Sequence, residues 1–489
     1  MLRVARVLAA LLLTAAPVAA ASAPSRHFRV PDALRPQVEF WKKVFATYSS
    51  SQIVIHDTEH LDRIYSVLDV WSLVADGEDP VYVDALLRDA ETDEKERIRA
   101  LLVRLHQGDP PASAEEERIV ALFQNDGDPQ KYLAAADRLR GQKGLRERFA
   151  AGIAVGHRYF PEMEAIFAEE GLPRELTRLP LIESCFNIRA YSKVGAAGIW
   201  QFMPSTGRRF MRVEDAIDER RDPIKSTRAA ARYLRENYEI LGTWPLAITA
   251  YNHGPAGIAR AVDEVGTTDI VDIIRYYRGP YFKFASRNFY PEFLAALEIE
   301  RDHQRHFGRL VFQEPIPTES VYLSHSMDIR TAATYADTHP DVLADLNPSL
   351  APAVESGRRS IPAGFALQVP AGSSSRFERY AAAWAEAQEA EARRYAAKRA
   401  TKRQVASRRG RSKSQQVAKG TRSSSKRVAK SKGTRSAKPK HVVHRVRRGQ
   451  TVDSIARRYG SSVQRILRHN GIRKASRIRE GQLLRIPAS

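Results

Sequence analysis

The sequence predicts a mainly α protein that also contains two small βααβ modules. Through most of the chain before residue 304, apolar residues recur at three- and four-residue spacing, the pattern of helices with one buried face. Residues 315–371 and 441–489 each read strand, helix, helix, strand, and "VLADLNPSL…IPAGFALQVP" aligns with "RILRHNGIR…IREGQLLRIP". We interpret these stretches as two copies of one module, of which the first is degenerate. A chain of 489 residues is too long for one hydrophobic core, so several domains are expected.

The N-terminus has the pattern of a secretory signal peptide. Arg3 and Arg6 precede an apolar run that is too short to cross a membrane, and small residues then offer a cleavage site that ends near Ala23. Residues 1–23 are therefore predicted to be removed on export. We expect a soluble mature protein in the periplasm or cell envelope, without a lipid anchor because no cysteine lies near the cleavage site, and without a transmembrane segment.

Two helical regions follow. Residues 24–148 predict a helical N-terminal region, in which "SSQIVIHD" is a short strand or an extended link. Residues 149–303 predict an all-α domain with a loop of Gly, Ala and Ser in its middle. Within that domain, Gly171 suits the end of one helix and Pro173 the first turn of the next.

The formal net charge of +21 is concentrated near the C-terminus. Residues 398–440 are rich in Lys and Arg, contain no Asp or Glu and have few branched aliphatic residues, so they predict a disordered basic linker. Together with an Ala/Glu/Arg-rich stalk before it, this linker occupies residues 372–440. Without interleaved aromatic residues, it does not indicate specific nucleic-acid binding. In an exported protein it favours anionic envelope surfaces, such as peptidoglycan stem carboxylates or lipids.

The strongest chemical candidate is a carboxylate at the end of an apolar helical run. Glu183 stands just before "GAAGIWQFMPSTG", and its apolar neighbours should raise its pKa, which favours a protonated acid near neutral pH. The small residues of the loop would let a ligand approach the backbone closely. Gln201 adds an amide there, and Tyr251 and Asn252 of "AYNHG" end a helix where they can point into a cleft.

Three ordered motifs carry a family resemblance. "ES" followed by "F", then "GAAGIWQFMPSTG", then "AYNHG" resemble the signatures of the lytic murein transglycosylases with a goose-lysozyme-like fold, and the closing module resembles a LysM domain. With both, the chain is similar to the membrane-bound lytic transglycosylase D group. The resemblance implies a lysozyme-like catalytic domain at residues 149–303. It also implies cleavage of the β-1,4 bond between N-acetylmuramic acid and N-acetylglucosamine in peptidoglycan without water, leaving 1,6-anhydro ends.

The resemblance also implies roles for individual residues. By matching position, Glu183 is the catalytic acid that later acts as the base, while the substrate's own acetamido group stabilises the reacting centre. The residues implied in substrate binding are Ser184, Gln201, Met203, Tyr251 and Asn252. For Met203 and Trp200, stacking on a sugar and packing in the core both remain open, and His253 is interpreted as a variation in the cleft wall. No cofactor or metal is expected.

Some features leave alternatives open. Glycosidases usually need a second carboxylate, but the four acidic residues from Asp215 to Asp222 are interpreted more simply as exposed ion pairs and a helix cap. Phe289 stands where the family often has a tyrosine, so neither it nor Tyr290 is assigned a role. Cys185, the only cysteine, is expected to be a buried apolar residue rather than a nucleophile. A hydrolytic muramidase and a non-catalytic peptidoglycan-binding scaffold are the alternative functions.

The two βααβ modules indicate what the protein binds. The resemblance to LysM implies binding to peptidoglycan glycan strands, in a groove between the loop after the first strand and the loop before the last strand. The first copy lacks the usual start of its first helix, so glycan binding and a structural cap on the catalytic domain both remain open for residues 315–371. The protein is expected to be a monomer.

Overall fold

In the computed structural model, the structure describes residues 27–70, 80–417, 441–446, 450–459, 461–472, 478 and 482–487. The predicted signal peptide lies outside the described residues. The chain divides into two compact units, one that ends at Ala392 and one that begins at Arg393. Helices account for most of the ordered elements, so the mainly α fold class is confirmed.

The N-terminal region combines helices with a small sheet. Its elements are α1 (Arg35–Ala46), β1 (Gln52–Asp57), β2 (Ile64–Asp69), α2 (Pro80–His106), α3 (Ala114–Ala121), α4 (Lys131–Ala136) and β3 (Leu139–Lys143). The strands form an antiparallel sheet in the order β2-β1-β3. The region is therefore less helical than the sequence predicts. Of the two alternatives for "SSQIVIHD", the short strand is correct. The strand β3 has the sequence LRGQK, which lacks the alternation of apolar and polar residues that predicts a strand.

The central strand β1 separates two hydrophobic cores. Ile53 and Ile55 face a core that they share with α2, α3 and α4, whereas Val54 belongs to the main core of the chain. This division follows from the geometry of a strand, because successive side chains point to opposite faces.

The helices of the main core follow β3. They are α5 (Arg146–Gly156), α6 (Phe160–Glu169), α7 (Leu179–Ser184), α8 (Pro204–Phe210), α9 (Pro223–Leu241), α10 (Trp244–His253), α11 (Pro255–Val265), α12 (Ile270–Tyr276), α13 (Phe284–Arg301) and α14 (His303–Phe307). The long helix α9 has clear sequence signals at both ends. The Asp222 carboxylate accepts hydrogen bonds from the backbone N–H groups of Ile224 and Lys225, and Gly242 ends the helix with φ 76°.

Helix α1 is part of the main core, although it lies far from that core in sequence. It packs along α13, where the Trp41 indole N–H donates to the Asn288 side-chain oxygen at 3.1 Å. The Phe45 ring stacks on Phe149 of α5 with centroids 4.6 Å apart. The predicted regions 24–148 and 149–303 thus share one core, so the residue 148/149 boundary does not separate two independent folding units.

The first βααβ module has its own core. Its elements are β4 (Thr318–Tyr322), α15 (Ile329–Tyr335), α16 (Pro340–Leu346), α17 (Pro352–Glu355) and β5 (Ala366–Pro370), and β4 pairs antiparallel with β5. The predicted order is present, with α17 as an additional short helix. Asn347, just after α16, ties this helix to β5, because its side chain donates to the Gln368 carbonyl at 2.7 Å and accepts from the Gln368 N–H at 2.8 Å.

The long helix α18 (Ser374–Val417) follows the first module. The helix covers the predicted Ala/Glu/Arg-rich stalk, but it also continues into the basic stretch that the sequence predicts to be disordered. Ala, Arg, Lys and Gln are good helix formers, so composition that cannot build a core can still support a helix. Residues 418–440 lie outside the described residues. None of the described helices combines the length and apolar character that a membrane span requires.

The second module repeats the first. It contains β6 (His441–Arg445), α19 (Val452–Arg458), α20 (Val463–His469) and β7 (Leu483–Pro487), with β6 antiparallel to β7. Asn470 repeats the arrangement of the first module, because its side chain donates to the Arg485 carbonyl at 2.8 Å and accepts from the Arg485 N–H at 2.7 Å. The shared asparagine geometry supports the interpretation of the two modules as copies.

We predict that Phe45→Ala strongly destabilises the main core, although Phe45 lies outside the predicted catalytic domain. The Phe45 side chain is buried, and removing a buried aromatic ring costs about 3–5 kcal/mol. Thermal unfolding followed by circular dichroism should show an earlier transition. Tyr281→Ala is the control because Tyr281 is 82% exposed. Equal melting of the two variants would contradict a shared core.

Candidate active site

Glu183 lies in the last turn of the short helix α7, which ends abruptly. Cys185 and Phe186 both adopt left-handed backbone conformations, with φ of 48° and 56°. Non-glycine residues rarely adopt this conformation, and such strain persists only when the surroundings enforce it. Here the Phe186 ring is buried, and its backbone N–H donates to the Pro180 carbonyl at 3.0 Å. Helix α5 passes close by, since a Cβ on Gly152 would lie 2.6 Å from the Cys185 carbonyl oxygen. The chain therefore turns sharply just after Glu183.

The Glu183 carboxyl is partly buried and has no partner. It makes no hydrogen bond or ion pair with another described residue, and burial raises its pKa from 4.5 to about 8. The apolar neighbours in the sequence predict this direction. An acid with such a pKa holds its proton at neutral pH, as a general acid must.

The loop between Gly195 and Met203 lies beside α7 and folds on itself. The Ala197 N–H donates to the Phe202 carbonyl at 3.2 Å. Gly198 has φ 74°, and a Cβ on it would lie only 1.8 Å from the Arg220 carbonyl oxygen. Only glycine fits this position, so the small residues of the loop serve its packing against the backbone beneath it.

Two of the predicted substrate-binding residues hold this loop in place. The Ser184 hydroxyl donates to the Ile199 carbonyl at 2.9 Å, and the Tyr251 hydroxyl donates to the Trp200 carbonyl at 2.8 Å. Ser184 is next to Glu183, and Tyr251 lies on α10. These hydrogen bonds therefore join α7, α10 and the loop into one site, and they leave only the acceptor lone pairs of the two hydroxyls available to a ligand.

Of the other loop residues, some support the fold of the loop and one is exposed to solvent. Gln201 has φ 48°, and its side-chain amide donates to the Gly198 carbonyl at 2.7 Å. Trp200 is fully buried, and its indole N–H donates to the Thr227 hydroxyl at 2.9 Å. Met203 is 41% exposed. Of the two residues considered for sugar stacking, Trp200 packs in the core and Met203 remains accessible.

The end of α10 adds a tyrosine and a small polar network. The pKa of Tyr251 is well above its usual value, first because of burial and then because of the Glu183 charge, which places the phenol near that carboxyl. Asn252 is exposed, and its side-chain oxygen accepts from the Ser286 hydroxyl at 3.0 Å. The His253 ring contacts the same hydroxyl at 3.1 Å, and burial lowers its pKa, so His253 is not a second acid at neutral pH.

The acidic residues between α8 and α9 are occupied by structural partners. The pairs are Asp215 with Arg359 at 3.1 Å, Asp218 with Arg220 at 2.6 Å and Glu219 with Lys225 at 3.0 Å, and Asp222 caps α9. The interpretation as ion pairs and a helix cap is confirmed, but the exposure is wrong for one pair. Asp218 and Arg220 are both buried. The Arg220 guanidinium also donates to the Gly195 and Phe202 carbonyls at 2.7 and 2.9 Å, so its donors are satisfied inside the protein.

Sequence reasoning missed a second carboxyl near Glu183. Glu292 lies on α13, partly buried, and makes no hydrogen bond or ion pair with a described residue. Its pKa is well above the usual value because of burial and then the Glu183 charge, with Arg140 acting in the opposite direction. Phe289 and Tyr290 are both buried in the core. The available signal was a glutamate one helical turn after Phe289 in an otherwise apolar stretch.

The cysteine and the clusters of possible metal ligands are the remaining chemical candidates among the described residues. Burial raises the pKa of the Cys185 thiol to about 11, so little thiolate exists at neutral pH, although Cys185 is only partly buried and not fully buried as the sequence predicts. No group of three or more His, Cys, Asp or Glu side chains among these residues could hold a metal ion.

Comparison with known families gives the site its context. Residues 162–274 match the Transglycosylase SLT domain family, and this range contains every site residue predicted from the sequence. The chain carries a transglycosylase SLT domain. Residues 444–487 match the LysM domain family and cover most of the second module. Both matches agree with the family resemblance of the sequence motifs.

Individual relatives match over shorter spans. Membrane-bound lytic murein transglycosylase D of Escherichia coli (strain K12) is 31% identical over 189 residues, which are 37% of this chain and 40% of that protein. The lytic transglycosylase Slt of Pseudomonas aeruginosa is 17% identical with a TM-score of 0.26, over 43% of this chain and 33% of that one. The 70 kDa soluble lytic transglycosylase of Escherichia coli is 16% identical with a TM-score of 0.27, over 47% of each chain. The chain spans less than half the length of each of these proteins.

We predict that Glu183→Gln stabilises the SLT domain, and increasingly so as the pH rises from about 4.5 to 8. Over this interval the unfolded chain loses the glutamate proton while the folded chain keeps it, so the free energy of unfolding falls as the pH rises. Glutamine cannot ionise and removes this loss. Melting temperatures across this pH range should show a growing advantage for the variant. Glu264→Gln, at an exposed glutamate, is the matched control. A pH-independent difference would count against a raised pKa.

Proposed function

We propose that this protein is a lytic transglycosylase, a lyase that cleaves the β-1,4 bond between N-acetylmuramic acid and N-acetylglucosamine in peptidoglycan without water. The products would be glycans that end in 1,6-anhydro-N-acetylmuramic acid. The observation that carries the proposal is an unpaired Glu183 in the last turn of α7, whose pKa burial raises to about 8, inside the range of the SLT match. The murein transglycosylase relative from Escherichia coli supports the substrate class.

The proposed reaction uses one carboxyl twice. Glu183 first donates its proton to the glycosidic oxygen as the bond from that oxygen to C1 of the muramic acid residue breaks. The acetamido oxygen of the same sugar stabilises the positive charge that develops at C1. The Glu183 carboxylate then takes the proton of the C6 hydroxyl, and O6 bonds to C1 to close the anhydro ring. Because the nucleophile belongs to the substrate, the reaction gains effective molarity and consumes no water.

The surroundings of Glu183 suit this cycle. A partly desolvated carboxyl without a cationic partner is a good acid, and it is a sufficiently strong base once it has lost its proton. Ser184 and Tyr251 hold the 195–203 loop through its carbonyl groups, which fixes the backbone against which the sugar would bind. Exposed Met203 and Asn252 are the accessible side chains for contact with the sugar and the wall of the cleft.

The hydrolytic alternative now depends on Glu292. It is the carboxyl that interacts with Glu183, whereas the acidic residues between Asp215 and Asp222 are bound to structural partners. Burial and the Glu183 charge raise its pKa well above the usual value. Both effects disfavour the carboxylate form that a general base needs to activate water, and this favours the transglycosylase over the hydrolase.

The second module would bring the enzyme to its substrate. A LysM match at residues 444–487 supports binding to glycan that contains N-acetylglucosamine. The basic residues before it would add salt-sensitive attraction to anionic groups of the envelope. We place the protein in the cell envelope as a monomer, in line with the predicted export signal and with its proposed substrate.

We predict that the protein releases muropeptides with 1,6-anhydro ends from purified sacculi and that Glu183→Gln does not. Mass spectrometry distinguishes these ends from reducing ends, because the anhydro product is lighter by one water molecule. The stability comparison described above supplies the folding control for Glu183→Gln.

Reducing ends would make the protein a hydrolase and direct attention to Glu292. Binding to sacculi without any product would instead support the non-catalytic scaffold.

We predict that deletion of residues 441–489 weakens binding to sacculi at all salt concentrations, because the glycan-binding module is lost. Deletion of residues 418–440 should weaken binding only at low salt, since screening removes the attraction between exposed charges at about 0.1 M and above. Co-sedimentation with sacculi across a salt series measures both effects. Equal salt dependence of the two deletions would contradict separate roles for module and linker.

A further inference from the structure

The first βααβ module binds a segment of the SLT domain through backbone pairing. Residues 215–221, here called the docking segment, lie antiparallel to the loop between α16 and β5. The Asp218 N–H donates to the Ser349 carbonyl at 2.7 Å, and the Ala351 N–H donates to the Ala216 carbonyl at 3.0 Å. This pairing is the geometry of a short antiparallel ladder.

One fully buried apolar side chain anchors the docking segment. Ile217 is fully buried, and it belongs to the hydrophobic core of the module rather than to the main core. It packs among residues such as Leu350 and Val354, which are also fully buried. Removing the Ile217 side chain from the module would expose its apolar surface to water, so this docking is favourable.

Charged side chains surround this anchor. The Arg221 guanidinium donates to the Leu350 carbonyl and pairs with Glu355 at 2.8 Å. Arg189, which precedes the active-site loop, pairs with Asp345 of α16. Arg221 is mostly buried, so its pairing is more than a surface contact.

The other side of the docking segment supports the active-site loop. Arg220 holds the Gly195 and Phe202 carbonyls, and its own carbonyl oxygen lies where a Cβ of Gly198 would be. That loop is in turn bonded to Ser184 and Tyr251. A continuous series of contacts therefore leads from the module to the residues on either side of Glu183.

We propose that the first module is an intramolecular clamp whose ligand is the docking segment of this chain rather than glycan. By the alignment of the two copies, the loop between α16 and β5 corresponds to one rim of the glycan groove expected in the second module. In the first module, Ser349, Ala351 and Glu355 of this rim are occupied by residues 215–221. The clamp holds the docking segment, and the docking segment positions the loop beside the catalytic acid. This positioning role rests on the proposed function, whereas the binding of the segment does not.

Two substitutions in the full-length chain test the clamp. Ile217→Asp places a charge in the core of the module. Ala351→Pro removes one ladder hydrogen bond at a residue whose φ of −68° already suits proline. Tyr322→Ala is the control, because Tyr322 lies on β4 of the same module and is 79% exposed. Hydrogen exchange of backbone amides, measured by mass spectrometry, reports local opening without any need for turnover.

We expect both clamp variants to speed amide exchange in residues 195–203 by about tenfold or more, while the control matches the wild type. In the muropeptide assay kcat should fall with little change in sacculus binding. Faster exchange at residues 347–355 without any change at residues 195–203 would overturn the clamp. Activity that is absent from all proteins, including the wild type, would instead contradict the proposed function, and the exchange result would still decide the clamp.

The same method tests the ligand of the module. With chitopentaose as the probe and the wild-type chain, we expect no protection of residues 323–328 or 347–365, since the docking segment occupies this side of the module. Protection of these loops by the oligosaccharide would make the first module a glycan-binding site and overturn the assignment.

Discussion

The candidate active site depends on one buried ion pair. Arg220 forms a two-point contact with Asp218 through Nε and Nη2, and its Nη1 amino group donates to two carbonyls of the loop beside Glu183. An arginine suits this place because its planar fork can satisfy a carboxylate and carbonyl oxygens together. Removing one partner would leave a buried charge without compensation, which is far more costly than losing a surface pair. The loop, the docking segment and the first module all meet at this pair.

The environment of Glu183 is the opposite of the Arg220–Asp218 pair, because no charged partner compensates for its burial. Glu183 lies among groups that do not neutralise it, so burial works against its charged form and keeps the proton in place. The cost is visible in the backbone as well, because Cys185 and Phe186 adopt left-handed conformations directly after it. Strain and unpaired polar groups of this kind lower stability, and they persist where the surrounding structure compensates for them. Here the buried aromatic core around Phe186 and the hydrogen bonds to the loop provide that support.

The two βααβ modules share a fold, but we assign them different ligands. Asn347 and Asn470 make the same pair of backbone hydrogen bonds in the two copies, so the framework is common. In the first copy the loop before the last strand is committed to the SLT domain, with Ile217 inserted into the core of the module. Binding to a segment of the same chain requires no free ligand, so in our proposal this module stabilises the domain that carries Glu183.

The sequence by itself determined the mainly α class, the repeated module and the position of Glu183, because periodicity, internal alignment and motif order are local properties. It also predicted the direction of the Glu183 pKa, since the apolar neighbours are adjacent in the chain. Tertiary structure alone decided what distant residues do. The packing of α1 on α13, the carboxyl of Glu292 near Glu183 and the insertion of Ile217 into another module each join residues far apart in sequence, and no local pattern records such pairings. The strand β3 is missed for the same reason. It pairs with β1, but its sequence lacks the alternation of apolar and polar residues that identifies a strand.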